Sequence, residues 1–522
     1  MNATIPESSR RRSLAAEWIV RVLLLLAFAL LVGRFWHPYY GFTRFLQMDE
    51  PTLAAASPAV RAAGVYTDEL PYDGQYYVQL AASPFLTDPT LPASIDTVSY
   101  RARRILLSWL AWLAGGGDAT AAVRAYAWIN LVVWAGLAAQ LWRILPTGEW
   151  RNTAAWAGVL FCSGTMLSVR LALPDLLAVA LLAATAWLIE CRRPLSGAVL
   201  LGLAGLTRET VLLNAAVFLP GEPRRLRDWA RALVPALVAF APLALWLWFL
   251  SGHFGATSPG IRNFALPGSG WAGRWREVIR VLGQEPEHWL AAGMLLAHMA
   301  LTVQFCHVFR RPAPADVWWR VAAINAALLL VLGGAVWEGE PGAATRVLLP
   351  LTLAFNVRAA RTRAGWGWLA AGNLGVLGGV VALWLVPTHW HEPWSGRLAS
   401  GGFVVRSDAR WYEMESLGRQ NWTWCANTAG IAIERWPAVD EQAEVRLLVR
   451  GAGEHRLKVS QDGRILWSGT IGTHHIWIKL PAVAFASGHA ALELTSPDPP
   501  VAEQPDGGGR KLGFALYNVR TD

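Results

Sequence analysis

The feature that most restricts this chain is a series of apolar runs separated by short clusters of arginine. A helix needs about 20 apolar residues to cross about 30 Å of hydrocarbon. Runs near that length occupy 18–36, 122–142, 153–169, 173–190, 231–250, 289–309, 319–336, 343–357 and 366–386. Only 16% of residues are charged, against about 25% in a soluble domain. That composition excludes a disordered chain, a coiled coil and an ordinary cytosolic enzyme.

The arginines orient these runs. Arg10, Arg11 and Arg12 precede the first run and put the N-terminus in the cytoplasm under the positive-inside rule. Gly33-Arg34-Phe35-Trp36 is a poor cleavage site, which disfavours a signal peptide. Arg192 and Arg193, then Arg224, Arg225, Arg227 and Arg231, then Arg310 and Arg311, then Arg358, Arg361 and Arg363 fall on the same side if two segments do not cross. The first, 105–114, is too short and ends in Gly115-Gly116-Gly117-Asp118. The second, 195–220, has basic loops at both ends and turns at Thr207-Arg208-Glu209-Thr210. The expectation is nine crossings with the C-terminus outside. The rival topology makes both segments full crossings and places Arg192 and Arg193 outside. The net charge of +9 follows from these loop arginines, so no nucleic-acid partner is implied.

Two regions leave the membrane. Residues 37–103 form a large outer loop within a multi-spanning domain, 1–386. From 387 to 522 short alternating runs appear, such as Leu457-Lys458-Val459 and Ile476-Trp477-Ile478-Lys479-Leu480, parted by turns at Asp462-Gly463 and Asp506-Gly507-Gly508-Gly509. A period of two with regular turns predicts an antiparallel β-sandwich on the extracytoplasmic side. The fold class expected is therefore mainly α, a polytopic transmembrane bundle with a C-terminal β-sandwich.

Several residues are candidates for chemistry. Tyr72-Asp73-Gly74-Gln75-Tyr76-Tyr77 in the outer loop reads either as a plain Asp-Gly turn or as a carboxylate held at the membrane face among aromatics. Asp49-Glu50 is a second acidic pair in that loop. Tyr100-Arg101-Ala102-Arg103-Arg104 places arginines against the positive-inside trend, either to grip phosphate or to anchor an interfacial helix. Arg208-Glu209 lies within an apolar stretch, where ionisable residues are expensive and functional by default; Glu209 is expected to pair with Arg208. Arg346 begins an apolar run after Glu338 and Glu340, and Asp175 reads as a helix cap. His389 with His391, and His474-His475 on a predicted strand, lack ligand geometry. Cys162, Cys191, Cys306 and Cys425 show neither metal spacing nor a disulfide framework. Trp422 and Trp424 either pack in the tail or stack on sugars.

These residues together resemble the GT-C superfamily of multi-spanning glycosyltransferases, and most of all bacterial members with a Tyr-Asp-Gly-Gln-aromatic-Tyr signature in the first outer loop. The resemblance rests on Tyr72 to Tyr77, Asp88-Pro89, Asp96, Tyr100-Arg101 and Arg104, on Leu203-Ala204-Gly205-Leu206-Thr207-Arg208-Glu209, and on a sandwich-like tail ending in Gly513-Phe514-Ala515-Leu516-Tyr517. It implies a GT-C fold in a bacterial cytoplasmic membrane and an inverting hexosyl- or pentosyltransferase of cell-envelope glycan biosynthesis. The partners implied are a polyprenyl-phosphate-linked sugar, a glycan, lipid or protein acceptor, and membrane lipids. Asp73 would be the base, with Asp49 or Glu50 as its counterpart if the acidic pair nearer the first span serves instead. Arg101, Arg104, Arg208 and Arg346 would hold the donor phosphate, and Tyr72, Gln75, Tyr76, Tyr77 and Glu209 would line the substrate. Some relatives use a divalent cation, Mg or Mn, so the resemblance leaves one open here, although no ligand set in the sequence identifies it. The competing readings are a transporter or flippase of lipid-linked sugars and a non-catalytic carbohydrate-binding scaffold.

Overall fold

The computed structural model describes residues 7–37, 39–68, 71–220, 226–255, 263–284, 289–337, 343–384, 394–398, 401–408, 410–417, 420–504 and 509–521. Arg224, Arg225, Glu338, Glu340, His389, His391 and the 506–508 part of the predicted turn lie outside these residues. The chain divides into two compact units, Met1–Val386 and Pro387–Asp522.

The first unit is helical. Four of its described helices are long and apolar enough to cross a membrane: Leu14–Gly33, Ala119–Ile144, Arg231–Phe254 and Ala291–Arg310. A fifth arises if Trp366–Gly372 and Gly375–Trp384, bent by 40°, form one span. Leu23, Leu30, Leu237, Leu245 and Trp248 are exposed on these helices. Water would charge heavily for that surface, whereas lipid accepts it. The chain has the helices of a multi-pass membrane protein.

The nine expected crossings are thus fewer as continuous helices. The 153–169 run breaks into Trp150–Leu160 and Ser163–Arg170, and 343–357 breaks into Ala343–Val347 and Leu349–Arg361, just before Pro350. Asp175–Glu190 and Val317–Val331 are 16 and 15 residues long. The reason is burial within protein. Every residue of Ser163–Arg170 is buried, as is Leu349 through Ala360. Broken backbone at membrane depth survives where protein groups satisfy it. Thr165 Oγ1 donates to the Val159 carbonyl at 2.8 Å and Ser163 Oγ to that of Gly375 at 2.7 Å. Apolar composition here reports neighbours, not lipid.

The two short segments behave distinctly. Leu106–Ala114 is a nine-residue helix. Asp118 then caps Ala119–Ile144, accepting from the Ala121 amide at 2.6 Å. The 195–220 stretch is a helix, Pro194–Gly205, followed by a 3-10 helix, Glu209–Phe218, with its break at 206–208. An amphipathic helix, Ser269–Gln284, escaped the hydropathy pattern because arginines 274, 276 and 280 and Glu277 interrupt it. The expected outer loop is itself folded, with short helices such as Glu50–Ala55, Pro58–Ala62, Gly74–Ala82 and Val98–Arg101 around buried Phe45, Leu46, Met48, Tyr77 and Leu80.

The second unit is an antiparallel β-sandwich. One sheet has six strands in the order Ser395–Leu398, Gly401–Ser407, Thr428–Trp436, His489–Thr495, His455–Gln461 and Arg464–Ile471. The other has five: Glu415–Leu417, Gln420–Cys425, Phe514–Thr521, Glu441–Gly451 and Ile476–Phe485. Alternate residues of both sheets, including Ile431, Ile433, Leu457, Leu494, Val445, Leu447, Ile478 and Leu516, meet in one core. Trp424 is buried, and Trp422 stacks on Tyr517 with ring centres 5.5 Å apart. His474 and His475 lie in the turn before a strand rather than on it.

Candidate active site

Asp73 and Asp49 are both acidic residues at helix starts, but the backbone uses them differently. Asp49 Oδ1 accepts from the Thr52 amide at 2.8 Å and caps Glu50–Ala55, while Glu50 is exposed in the first turn. Asp73 precedes Gly74–Ala82 in helical geometry and makes no capping bond. Its carboxylate is left for side-chain chemistry and meets Arg101 Nη1 at 3.0 Å, with 34% of the side chain exposed.

Gly74 explains why Asp73 sits where it does. A Cβ at Gly74 would lie 2.5 Å from the Leu171 carbonyl oxygen and 2.9 Å from that of Leu46. Both obstacles are backbone, so neither can swing aside. Gly74→Ala should destabilise the outer-loop packing by about 1–3 kcal/mol and displace Asp73. A lower melting temperature in detergent checks this. Gly164 allows a similar approach elsewhere, since its Cβ would lie 2.4 Å from the carbonyl of Thr345, the residue before Arg346.

Arg101 is held by three carboxylate contacts. Its Nε and Nη2 donate to Asp96 at 2.9 and 2.7 Å, and its Nη1 faces Asp73. The guanidinium lies 4.7 Å from the Tyr76 ring centre. Burial opposes ionisation of Asp96, but the Arg101 hydrogen bonds and charge outweigh it and hold its carboxyl below the usual range. Burial pushes the Tyr72, Tyr76 and Tyr77 phenols up, so all three stay protonated at neutral pH.

Arg104 lies one helical turn on. Its Nε meets Glu209 Oε2 at 3.2 Å and its Nη1 donates to the Tyr77 hydroxyl at 2.9 Å. The Leu106 amide donates to the Leu206 carbonyl at 3.1 Å, which joins this arginine segment to the 206–208 break. The expected Arg208–Glu209 pair is absent from this arrangement. Glu209 pairs with Arg104, and Arg208 Nη1 instead bonds Asp175 Oδ1. Neighbours in sequence at a helix start point apart, so each finds a partner on another element. Asp175 is likewise not the helix cap the sequence suggested. Pro174 occupies that position, and the Asp175 carboxylate turns to the arginines. Arg346 Nη1 lies 3.5 Å from its Oδ2, and Arg346 Nη2 donates to the Tyr72 hydroxyl at 2.6 Å.

These groups share one cavity of about 160 Å³. Asp73, Tyr77, Tyr100, Arg104, Asp175, Arg208 and Arg346 all line it. Tyr72 reaches it through Arg346. Gln75 and Tyr76 do not line it: Gln75 Oε1 accepts from the Asp49 amide at 3.2 Å, and Tyr76 lies under Arg101. Asp49, Glu50, Arg101 and Glu209 are also absent from the lining, the last two acting on its walls. The cavity is lined by both signs of charge. Arg101 serves two carboxylates, Asp73 and Asp96, whereas one carboxylate, Asp175, serves two arginines, Arg208 and Arg346. Such a pocket can accept an anion at its arginines and a proton at a carboxylate. Asp175 is the residue the sequence reading missed as a site member. Its signal was a carboxylate at the edge of an apolar run, the same signal that drew attention to Arg346.

Among the described residues no group of three or more His, Cys, Asp or Glu gathers as metal ligands. Asp73 and Asp175 each already carry a guanidinium. Among the described residues this donor set does not fit a resident divalent cation.

No family model and no curated protein sequence matches the chain. Among solved structures, it is similar to arabinofuranosyltransferase AftD from Mycobacteria at 11% identity over 99% of this chain, with a TM-score of 0.36. A variant of that enzyme gives 11% identity over 100% of this chain and a TM-score of 0.37. TmCBM61 in complex with β-1,4-galactotriose gives 12% identity over 23% of this chain and 87% of its own, with a TM-score of 0.15. The chain spans 59% and 62% of the length of the two AftD chains.

Proposed function

We propose that the protein is an inverting membrane glycosyltransferase. It moves a sugar from a polyprenyl-phosphate carrier to a glycan, lipid or protein acceptor at the extracytoplasmic face. The observation that carries this reading is the single cavity lined by Asp73 together with Arg104, Arg208 and Arg346. The signature Tyr72 to Tyr77 supports it, because its aspartate, unlike Asp49, is spared from capping.

The acceptor hydroxyl loses its proton to Asp73 as its oxygen attacks the anomeric carbon. The bond from that carbon to the phosphate oxygen breaks on the opposite face, which inverts the configuration. Polyprenyl phosphate departs with the extra negative charge, and the guanidinium groups of Arg208, Arg346 and Arg104 stabilise it where it develops. The cavity holds several times liquid water's share of about 30 Å³ per molecule, so it accommodates a phosphate with its bridging oxygen. The prenyl chain stays among the membrane helices. The β-sandwich binds the acceptor glycan.

Purified full-length protein, given radiolabelled pentoses and hexoses on polyprenyl phosphate and short glycan acceptors, should release polyprenyl phosphate and label the acceptor. Movement of intact lipid-linked sugar across a vesicle would make it a transporter. Glycan binding with neither result would make it a scaffold.

A further inference from the structure

Asp175 is 2% exposed and draws in two arginines that lie 33 and 171 positions further along the chain. A buried ion pair is weak as a source of stability, since desolvation consumes most of the attraction. A buried carboxylate with two guanidinium groups is worse placed still, because one positive charge has no balancing partner within the triad. An anion at the cavity would supply it. The Nε of Arg208 is also buried without a hydrogen-bond partner among the described residues. Leaving such a donor unmade is costly.

The backbone beneath Asp175 is pinned for this task. Asn130 Nδ2 donates to the Ser168 and Leu173 carbonyls, both at 2.9 Å. The Tyr126 hydroxyl donates to the Ala172 carbonyl at 3.0 Å. Ala172 itself has φ +48°, a left-handed conformation that a residue with a Cβ adopts only when its surroundings impose it. The Ala119–Ile144 helix therefore sets the turn from which Asp175 projects.

We infer that Asp175 is a positioning residue. It holds the guanidinium groups of Arg208 and Arg346 side by side so that the pair receives the phosphate group leaving the sugar. This role rests on the glycosyl-transfer reading. It assigns Asp175 no proton transfer: its carboxylate stays ionised between two cations while Asp73 takes the proton. The phosphate's negative oxygens accept from donors of Arg208 and Arg346 that Asp175 has oriented but not used.

The test uses the full-length protein in detergent. Turnover is measured with a polyprenyl-phosphate sugar, and sugar-free polyprenyl phosphate serves as a competing ligand. Asp175→Asn should lower kcat by about 10²-fold, within the range for losing a preorganised electrostatic group. It should weaken inhibition by polyprenyl phosphate about 10- to 100-fold, the scale for losing an outer group that orients a binding group, and leave the acceptor KM unchanged. Asp175→Glu, which keeps the charge, should recover part of both losses. Asp175→Asn combined with Arg346→Gln should be no worse than the poorer single variant, because the two act as a unit. Wild-type kinetics and inhibition in Asp175→Asn would overturn the role. So would losses that multiply in the double variant, or Asp175→Asn and Asp175→Glu both failing to fold, which would make the residue structural. A wild-type protein that neither transfers sugar nor binds polyprenyl phosphate would instead remove the reading beneath it.

Discussion

Asp73→Asn should abolish sugar transfer, by about 10²- to 10⁴-fold if only general-base help is lost, while the protein still inserts in the membrane and elutes as one species. Asparagine keeps the size of the side chain, and no helix cap depends on it. The Arg101 guanidinium retains its two bonds to Asp96, so the local fold does not lose its anchor. The loss should appear in kcat with little change in the KM of the lipid donor, since Asp73 pairs with Arg101 whereas Arg208 and Arg346 pair with Asp175. Transfer of label from a polyprenyl-phosphate sugar in membranes normalised for protein measures this. Full activity in Asp73→Asn would move the base to Asp49 or Glu50, where the geometry now shows a helix cap and an exposed side chain.

Arg346→Gln is expected to be the next most damaging change. The side chain is 6% exposed and divides its donors between Asp175 and the Tyr72 hydroxyl. Glutamine fills similar volume and still hydrogen-bonds, but it brings no charge to the departing phosphate. Removing one such preorganised donor costs about 10²- to 10³-fold in turnover. The donor KM should rise and the acceptor KM should hold. Asp175 keeps Arg208 as a partner, so the carboxylate is not stranded and the melting temperature should fall only modestly. Equal losses toward donor and acceptor would instead mark Arg346 as an anchor for the Ala343–Val347 helix.

Much of the architecture was legible from local patterns. The sandwich announced itself through alternation at period two, which no helix can satisfy, and strands at Glu441–Gly451 and Ile476–Phe485 carry that pattern into one core. The helical bundle followed from long apolar runs. Hydropathy failed at Trp150–Leu160 with Ser163–Arg170 and at Ala343–Val347 with Leu349–Arg361, where apolar residues face other helices and the runs break. It also failed at Ser269–Gln284, whose arginines mask an amphipathic helix.

The candidate site divides in the same way. Residue types near one another in sequence were enough to single out Tyr72 to Tyr77, Arg101, Arg104, Arg208 and Arg346, because charge and aromatic clusters at a membrane face are locally visible. Their partners were not. Glu209 stands beside Arg208 in the chain yet binds Arg104, and Asp175 reads as a cap yet binds Arg208 and Arg346. Spacing tells which groups are present and roughly how deep they lie, since that depends on the chemistry of a few consecutive residues. Only the folded chain decides which carboxylate meets which guanidinium, because those pairings join elements 33 to 171 residues apart and are chosen by packing.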